Sequence, residues 1–393
     1  MKGELRLIVI CFLIQVTTMS FGRFAYTLIL PYMMRSLGLT NTKMGILGMG
    51  IVIGYLINSF ISGKLSSIIT EELTIKISIF IISLSLFALG FFSHFSILFI
   101  SSIILGAGAS GSYIPLISIL NRHFSEKGKV FGIVMGGAGV GTMLCGYIIP
   151  PLLSISETDG YRISWYTLAS INFIILIIAL LFLRQEKKWD GDKSDMAREK
   201  NIIDIFKGNT PLIITVLIYF LVGFSYIIYA TYFGAYSINE LGFGVRSTGI
   251  MWSLVGINFI YAGIIWGILS DKFNRINMAL IETFLITLSI FLIIPSRVAI
   301  LFYASTFLFG FAFMGFITTI ASIISDEIQK NEMAKIFGAS TLIHGFGQVI
   351  GTYLAGLLKD KTDTFKVPFS ISFFALLVCI LLFFLLKKST KRA

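Results

Sequence analysis

The chain has 393 residues, of which 56% are hydrophobic and only 13% are charged. So little polar material cannot cover the surface of a soluble protein of this length, and this excludes a soluble enzyme. The net charge of +11 suggests nucleic acid as a partner. The distribution of the basic residues along the chain, described below, is explained by membrane topology instead.

About twelve apolar runs repeat along the chain, each near the ~20 residues that a helix needs to cross the hydrocarbon layer. Backbone amides in lipid must be hydrogen-bonded internally, so each run is predicted to be a helix. The first run continues to about Leu30 without a small-residue cleavage site, which favours an uncleaved span over a signal peptide. The predicted spans are 6–34, 43–66, 75–93, 96–121, 129–154, 162–184, 210–238, 246–270, 276–296, 298–325, 334–358 and 366–387.

The first span carries Arg23 well inside its apolar run. A guanidinium at that depth is costly unless it faces a wet cavity or a partner. On helical spacing, Gln15, Arg23 and Tyr26 share one stripe and are predicted to face the same way. Arg23 is therefore a candidate for receiving an anionic substrate group, because its fork suits carboxylates. The alternative is an arginine that reaches the interface or has a structural partner.

Glycines are concentrated in the fourth and fifth spans. A G-x-G-x-x-G string begins at Gly106, but no strand precedes it and the segment is apolar, so it does not indicate a nucleotide site. Tyr113, later in the fourth span, is a candidate for the wall of a central cavity. The glycines of the fifth span, from Gly132 to Gly146, favour tight helix packing.

The chain divides into two similar halves, predicted as residues 1–184 and 210–393, joined by a polar linker at 185–209. Residues 32–66 align with 236–270 at an offset of 204, and residues 129–152 align with 335–358 at an offset of 206, with glycines and tyrosines in register. A shift of six spans keeps each copy in the same orientation. The halves are thus predicted to be parallel repeats with a cavity between them.

In the second half, polar and aromatic side chains favour a ligand site. The seventh span carries Tyr219, Tyr226 and Tyr229 on one helical face, which suits either a small organic ligand or core packing. His344 and Gln348 lie one turn apart in the eleventh span, where the first half has Ala138 and Thr142. They form a candidate site, with a structural histidine as the alternative.

Two further polar residues lie in spans of the second half. Asn258 is a weaker candidate for the same cavity. Glu282 and His344 are the candidates for proton coupling, although Glu282 is interpreted mainly as a side chain that reaches toward the interface. The first half contains no acid within a span, which disfavours a cationic cargo.

The eighth span ends in Gly267, Asp271, Lys272 and Arg275, which fit the pattern G-x-L-x-D-[RK]-x-x-[RK]. On this motif the chain resembles the major facilitator superfamily. A Gly-Arg-Phe-Ala-Tyr string at 22–26, followed by Leu-Pro at 30–31, resembles the opening helix of its YbfB/YjiJ-type branch.

This resemblance implies an all-α fold of 12 transmembrane helices in two pseudo-symmetric six-helix bundles, and secondary transport by alternating access. The motif would act as a gate, with Asp271 facing the positive N-terminal end of another helix in its half. The first-half equivalent, at 63–67, lacks the acid, and Ser102 stands near the place of the family's fourth-span arginine.

Lysine and arginine are unevenly divided between the two sides of the membrane. With the N-terminus inside, 22 of them lie in inner segments and 8 in outer loops, which predicts cytoplasmic termini in a cytoplasmic-type membrane. The three cysteines fall inside spans, so neither a metal site nor a disulfide framework is predicted. No cofactor or nucleic acid is expected.

Together these features predict a secondary transporter of a small, anionic organic solute, active as a monomer and coupled to a proton or a counter-solute. The alternative within transport is an exporter of hydrophobic, drug-like compounds. A membrane enzyme or a non-transporting sensor is disfavoured, because the sequence has no H-E-x-x-H, Walker A or G-x-S-x-G string and no appended signalling domain.

Overall fold

The computed structural model describes residues 2–124, 127–184, 205–328 and 332–390, and these residues form helices and no strand. The predicted all-α fold is confirmed. The linker predicted at 185–209 lies mostly outside the described residues. The helices are α1 (Lys2–Thr18), α2 (Tyr26–Leu37), α3 (Asn41–Ile69), α4 (Glu71–Phe91), α5 (Phe95–His123), α6 (Lys127–Leu153), α7 (Gly160–Phe182), α8 (Thr210–Ala235, extended by a π-helical turn at Tyr236–Glu240), α9 (Val245–Lys272), α10 (Arg275–Ile293), α11 (Ala299–Asp326), α12 (Met333–Thr362) and α13 (Lys366–Thr390).

Eleven of the described helices are each long and apolar enough to cross a membrane. Many of their large apolar side chains are exposed on the outside of the protein, where lipid can cover them, as expected for a multi-pass membrane protein. The remaining span is formed by α1 and α2 together, with 17 and 12 residues.

This first span is broken, whereas the sequence predicts one continuous helix. Residues 19–25 are irregular, and the amides of both Phe24 and Ala25 donate to Ser20 O. The carbonyl of Phe24 accepts instead from the indole of Trp252, and the Ser20 hydroxyl donates to Ala138 O. Irregular backbone at membrane depth is tolerated where other helices and a cavity surround it.

Two bundles, α1–α7 and α8–α13, pack against each other along two equivalent contacts. Helix α3 packs on α12, and α6 packs on α9, which are the helices that carry the repeated glycines. A Cβ added at Gly45 would lie 2.7 Å from Thr352 O, and one added at Gly249 would lie 2.4 Å from Gly146 O. Glycine at these positions allows the backbones of the two halves to approach closely.

Because the described helices cross the membrane domain twelve times, Lys2 and Thr390 lie on one of its faces, called here the termini face; the other is the loop face. On the loop face, Asp360 of α12 accepts from the backbone N–H groups of Asn41 and Thr42, at 3.0 and 2.7 Å, at the start of α3. The side chains of Asn41 and Thr42 also donate to it, at 2.8 and 2.5 Å. Arg35 donates to Asn239 at 2.5 Å. These contacts join the halves on the loop face.

Candidate functional site

A cavity of about 240 Å³ lies between the two halves. On α3 its lining begins at Ile51 and ends at Leu56, about 15–23 Å from the loop-face end of that helix. On α12 it begins at Phe337, four residues after the termini-face end. The cavity is thus closed off by the loop-face contacts and lies toward the termini face. The polar side chains among its lining residues are Gln15, Thr18, Arg23, Tyr55, Tyr113, Tyr219, Tyr226, Thr341, His344 and Gln348.

Arg23 projects into this cavity from the irregular segment between α1 and α2. Its Nη2 donates to the hydroxyl of Tyr226 and to Oε1 of Gln348, so one guanidinium bridges the two halves. Its carbon Cζ lies 5.6 Å from the centre of the Tyr226 ring. Its Nε–H is buried and has no hydrogen-bond partner. Arg23 thus lies in a cavity, as the binding-site interpretation requires, and it also has protein partners, as the structural interpretation requires.

The partners of Arg23 are all neutral, and this determines what the site can bind. Arginine only donates hydrogen bonds, so it occupies an acceptor lone pair on Tyr226 and the amide oxygen of Gln348. The Tyr226 O–H and the Gln348 NH₂ remain as donors. A cation and two oriented donors converge on one place, and no carboxylate among the described residues forms an ion pair with Arg23. Such an arrangement suits an anion.

His344 lies against the same group of residues and is 4% exposed. Its Nδ1 lies 2.7 Å from the backbone oxygen of Tyr219. Because a carbonyl only accepts, Nδ1 carries a proton, and in the neutral imidazole Nε2 then keeps a free lone pair. The imidazole stacks on the Tyr219 ring with centroids 3.9 Å apart and lies parallel to the Tyr226 ring at 5.7 Å.

Aromatic rings continue this stack along the wall of the cavity. Tyr226 stacks on Phe313 with centroids 4.2 Å apart. Phe259 lies 6.0 Å from Phe313 and meets Phe24 edge-on at 5.3 Å. The seventh-span aromatic face is thus part of both the site and the core.

The structure brings together five of the eight predicted binding residues. Arg23, Tyr113, Tyr226, His344 and Gln348 all line the cavity.

Tyr26, Tyr229 and Asn258 lie outside it. The hydroxyl of Tyr26 donates to Met44 O at 2.8 Å, because the break after Thr18 turns α2 relative to α1. Tyr229 shares a hydrogen bond of 2.7 Å with Ser305 on α11.

Asn258 is held within its own helix, where Nδ2 donates to Leu254 O at 2.8 Å and Oδ1 accepts from the hydroxyl of Tyr261.

Sequence reasoning missed Tyr55, which lines the cavity. The internal repeat contains a signal for it, since Tyr55 aligns with Phe259 at the offset of 204, and Phe259 lines the cavity from the other half.

The residues of the predicted gating motif lie on the termini face, away from the cavity. Arg275 pairs with Asp271 at 3.3 Å and with Asp326 at 2.5 Å. In this structure the Asp271 carboxylate therefore contacts Arg275, and its side chain is 73% exposed. Gly267 faces open space, and Lys272 lies 5.8 Å from the Phe273 ring. The gating role stays a prediction.

Glu282 is fully buried between α10 and α11 and does not reach the membrane–water interface. Its Oε1 accepts from the Thr319 hydroxyl at 2.9 Å, and its Oε2 has no hydrogen-bond partner. It is not among the residues that line the cavity. Of the two candidates for proton coupling, only His344 faces the cavity.

Residues 15–384 match the family described as "Uncharacterised MFS-type transporter YbfB". The chain is 23% identical to the hexuronate transporter of Bacillus subtilis (strain 168) over 390 residues, which cover 94% of the chain and 92% of the relative. It is 24% identical to the quinolone resistance protein NorA of Staphylococcus aureus (strain MRSA252), over 84% of each chain.

Solved structures share the fold. The nucleoside transporter NupG superposes with a TM-score of 0.80 at 16% identity, over 99% of this chain and all of that one (100%). The D-xylose-proton symporter superposes with a TM-score of 0.79 at 13% identity, over 96% of this chain and 97% of that one.

Proposed function

Because the chain belongs to the YbfB-type branch of the major facilitator superfamily and is a secondary transporter, we propose that its cargo is a small organic anion. The observation that carries this proposal is Arg23, which bridges the halves through Tyr226 and Gln348 and has no described counter-ion. A carboxylate bound there would contact both halves at once. Alternating access needs two conformations, one closed at the loop face and one closed at the termini face. A ligand shifts their populations only when its contacts differ between the two.

The test is binding and uptake by the purified full chain, using phenylacetate, glucuronate and the cationic dye ethidium as probes. Replacing Arg23 with Gln removes the charge but keeps a polar side chain. A hydrogen bond to a charged group is worth about 1.5–3 kcal/mol, so carboxylate binding should weaken roughly tenfold to 150-fold. Arg246→Gln, an exposed change on the loop face, is the matched control. Carboxylate uptake that survives Arg23→Gln would refute the anion site.

For the coupling ion we propose a proton carried by His344. The groups that face this imidazole are the neutral Tyr219 and Tyr226 and the cationic Arg23. A second positive charge beside Arg23 is unfavourable in the empty cavity. A bound carboxylate would neutralise Arg23 and allow Nε2 to accept a proton, so that anion and proton bind together. Uptake indifferent to a proton gradient would contradict this coupling.

The proposed orientation has both termini in the cytoplasm of a cytoplasmic-type membrane, because the termini-face segments contain most of the lysine and arginine. The cavity would then face the cytoplasm in this structure. One chain supplies both halves and the whole lining of the cavity, so a monomer suffices for alternating access. Labelling an engineered cysteine near the C-terminus in intact cells tests the orientation.

A second candidate function is export of hydrophobic compounds. The apolar part of the cavity lining and the similarity to NorA favour it. A hydrophobic cation would gain nothing from Arg23 and would be repelled by it. Ethidium efflux that is unchanged or increased in Arg23→Lys and Arg23→Gln, with no carboxylate binding in the parent protein, would favour this exporter over the anion transporter.

A further inference from the structure

The charge of the cavity limits the charge of its cargo. Among the described residues that line it, Arg23 is the one with a fixed formal charge. His344 is buried in the same cavity as Arg23, where a second positive charge is unfavourable while no anion is bound, so the imidazole is neutral in the empty cavity. One carboxylate therefore balances Arg23. A proton taken up by His344 would place its charge at the same end of the cavity, beside Tyr226, so a second carboxylate at the far end of the cargo would be buried without a cationic partner. Burying an unpaired charge is strongly unfavourable, so the balance favours a single carboxylate.

The donors of the cavity are concentrated at one end. The guanidinium of Arg23, the O–H of Tyr226 and the NH₂ of Gln348 lie together, because Arg23 holds the acceptor atoms of the other two. These groups can receive both oxygens of one carboxylate. The described residues of the lining include no second cluster of charged donors for another acidic group.

Several polar groups of the remaining wall are already hydrogen-bonded within the protein. The Thr18 hydroxyl donates to Ile14 O at 2.9 Å, and the Thr341 hydroxyl donates to Phe337 O at 2.8 Å. The Gln15 amide is engaged at 3.3 Å with the sulfur of a methionine, Met135. The hydroxyls of Tyr55 and Tyr113 also line the cavity and can pair with one or two hydroxyl groups of a cargo. A sugar-like cargo has more hydroxyl groups than these, and each one that leaves water without finding a partner weakens binding by roughly tenfold.

Apolar and aromatic side chains form the remaining wall. Phe259, Phe313 and Ile317 line it from α9 and α11, and Phe24 lines it from the irregular segment. The Phe313 ring also stacks on Tyr226, which contacts Arg23. An aromatic surface thus begins directly beside the carboxylate donors. The volume of about 240 Å³ lies just below the range of pockets for drug-sized ligands, which suits a small metabolite.

Resting on the proposed function, we propose that the cargo is a monocarboxylate with an apolar body, an aromatic acid such as phenylacetate being the best match. The carboxylate binds Arg23, Tyr226 and Gln348. The ring packs against Phe313 and the neighbouring aromatic side chains. A polyhydroxylated acid fits less well, because it has more hydroxyl groups than the free hydroxyls of the wall can pair with. A dicarboxylate fits less well, because its second acid group would lie against the aromatic wall, away from Arg23.

The experiment compares four probes by isothermal titration on the purified full chain. Phenylacetate has one carboxylate and an apolar ring; glucuronate has one carboxylate and a hydroxylated ring; terephthalate has two carboxylates; phenylacetamide has none. We expect phenylacetate to bind at least roughly tenfold more tightly than each of the others, and Arg23→Gln to abolish this preference.

A substitution in the cavity wall tests the contact with the apolar body of the cargo separately from the contact with its carboxylate. Phe313→Leu removes the ring but keeps an apolar side chain, and should weaken phenylacetate binding about fivefold while leaving glucuronate unchanged. Phe307→Leu is the matched control, because Phe307 lies on the same helix, is 45% exposed and faces away from the cavity. Equal losses for both acids in Phe313→Leu would overturn the assignment of the wall to the cargo's ring.

The other outcomes separate this inference from the proposed function. Glucuronate that binds as tightly as phenylacetate, and is lost in Arg23→Gln, overturns the apolar cargo but leaves anion transport standing. Phenylacetamide that binds as well as phenylacetate in both proteins overturns both proposals. Failure of all four probes to bind overturns the apolar monocarboxylate. The anion proposal is then decided by whether carboxylate uptake differs between the parent protein and Arg23→Gln.

Discussion

The contact between Asp360 and the start of α3 can be weakened without touching the cavity. Asp360 accepts four hydrogen bonds from Asn41 and Thr42, two of them from first-turn N–H groups that have no partner within α3. In Asp360→Asn the charge is lost, and the new NH₂ group must face two of those four donors. We expect the loop face to open more often.

The size of the effect follows from the number of bonds and their exposure. A negative charge at a helix N-terminus contributes about 0.3–1 kcal/mol, and up to ~2 kcal/mol when partly buried. Hydrogen bonds to charged groups add to this, but Asp360 is exposed, so solvent screening reduces their net value. A total of about 1.5 kcal/mol corresponds to about a tenfold change in the ratio of closed to open molecules.

A cysteine at position 352 reports this opening. Thr352 is fully buried, and its backbone oxygen and methyl group face Gly45 and Gly48 across the contact between α12 and α3. The Thr352→Cys protein should react with a polar maleimide about tenfold faster when Asp360→Asn is added. The native cysteines are buried.

Asp363→Asn is the control, because Asp363 is fully exposed and pairs with Lys359 of its own helix end. Equal labelling rates with and without Asp360→Asn, in proteins of equal melting temperature, would show that this contact does not hold the loop face closed.

Five further substitutions test the packing and the site. Gly256→Leu should lower the melting temperature and transport, since a Cβ there would lie 2.2 Å from the backbone of α6. Gly267→Leu on the same helix faces open space and should leave the melting temperature unchanged; equal melting curves for the two variants would count against the close contact. Tyr226→Phe removes a donor from the cavity and should weaken carboxylate binding about tenfold. Tyr229→Phe, whose hydroxyl bonds a serine outside the cavity, should change only stability, by about 1 kcal/mol in thermal unfolding. Glu282→Gln keeps the shape of a buried side chain with one unpartnered oxygen and should retain proton-driven uptake; its loss would move the proton from the histidine to Glu282.

Much of the fold could be predicted, because lipid leaves an apolar run little choice other than a helix. The span predicted at 298–325 is Ala299–Asp326, and that predicted at 75–93 is Glu71–Phe91. The break at 19–25 was not predictable in the same way. Periodicity assumes a straight helix, and the groups that satisfy the freed backbone, such as the indole of Trp252, come from the other half.

The same limit applies to the site. Arg23, His344 and Gln348 could be predicted because polar side chains at membrane depth need a reason to be there. Tyr26 and Tyr229 have the same residue type and spacing as cavity residues, yet their hydroxyls bond groups away from it. Which face of a helix packs against a neighbour depends on helices that are distant in the sequence. A single sequence contains this information only where an internal repeat aligns a residue of one half with its counterpart in the other.

The charge of the cavity also predicts how transport responds to voltage. The empty cavity carries the charge of Arg23, and a bound monocarboxylate cancels it. When His344 takes up one proton with each anion, the loaded cavity again carries one positive charge, so a complete cycle moves no net charge. Uptake of phenylacetate or glucuronate, whichever the protein binds, should then follow a pH gradient and ignore a potassium-valinomycin potential.

His344→Gln should reverse both responses, and this distinguishes a proton carrier from a structural histidine. The anion would then cross alone, and each cycle would move one negative charge. A potential of 100 mV acts on one charge with about 2.3 kcal/mol, which is about a 50-fold change in accumulation. Proteoliposomes made with each protein allow both gradients to be imposed separately. Wild-type uptake that follows the potential would assign the protein to anion uniport, because it would mean that the anion enters without a proton and that His344 serves the packing of the aromatic stack.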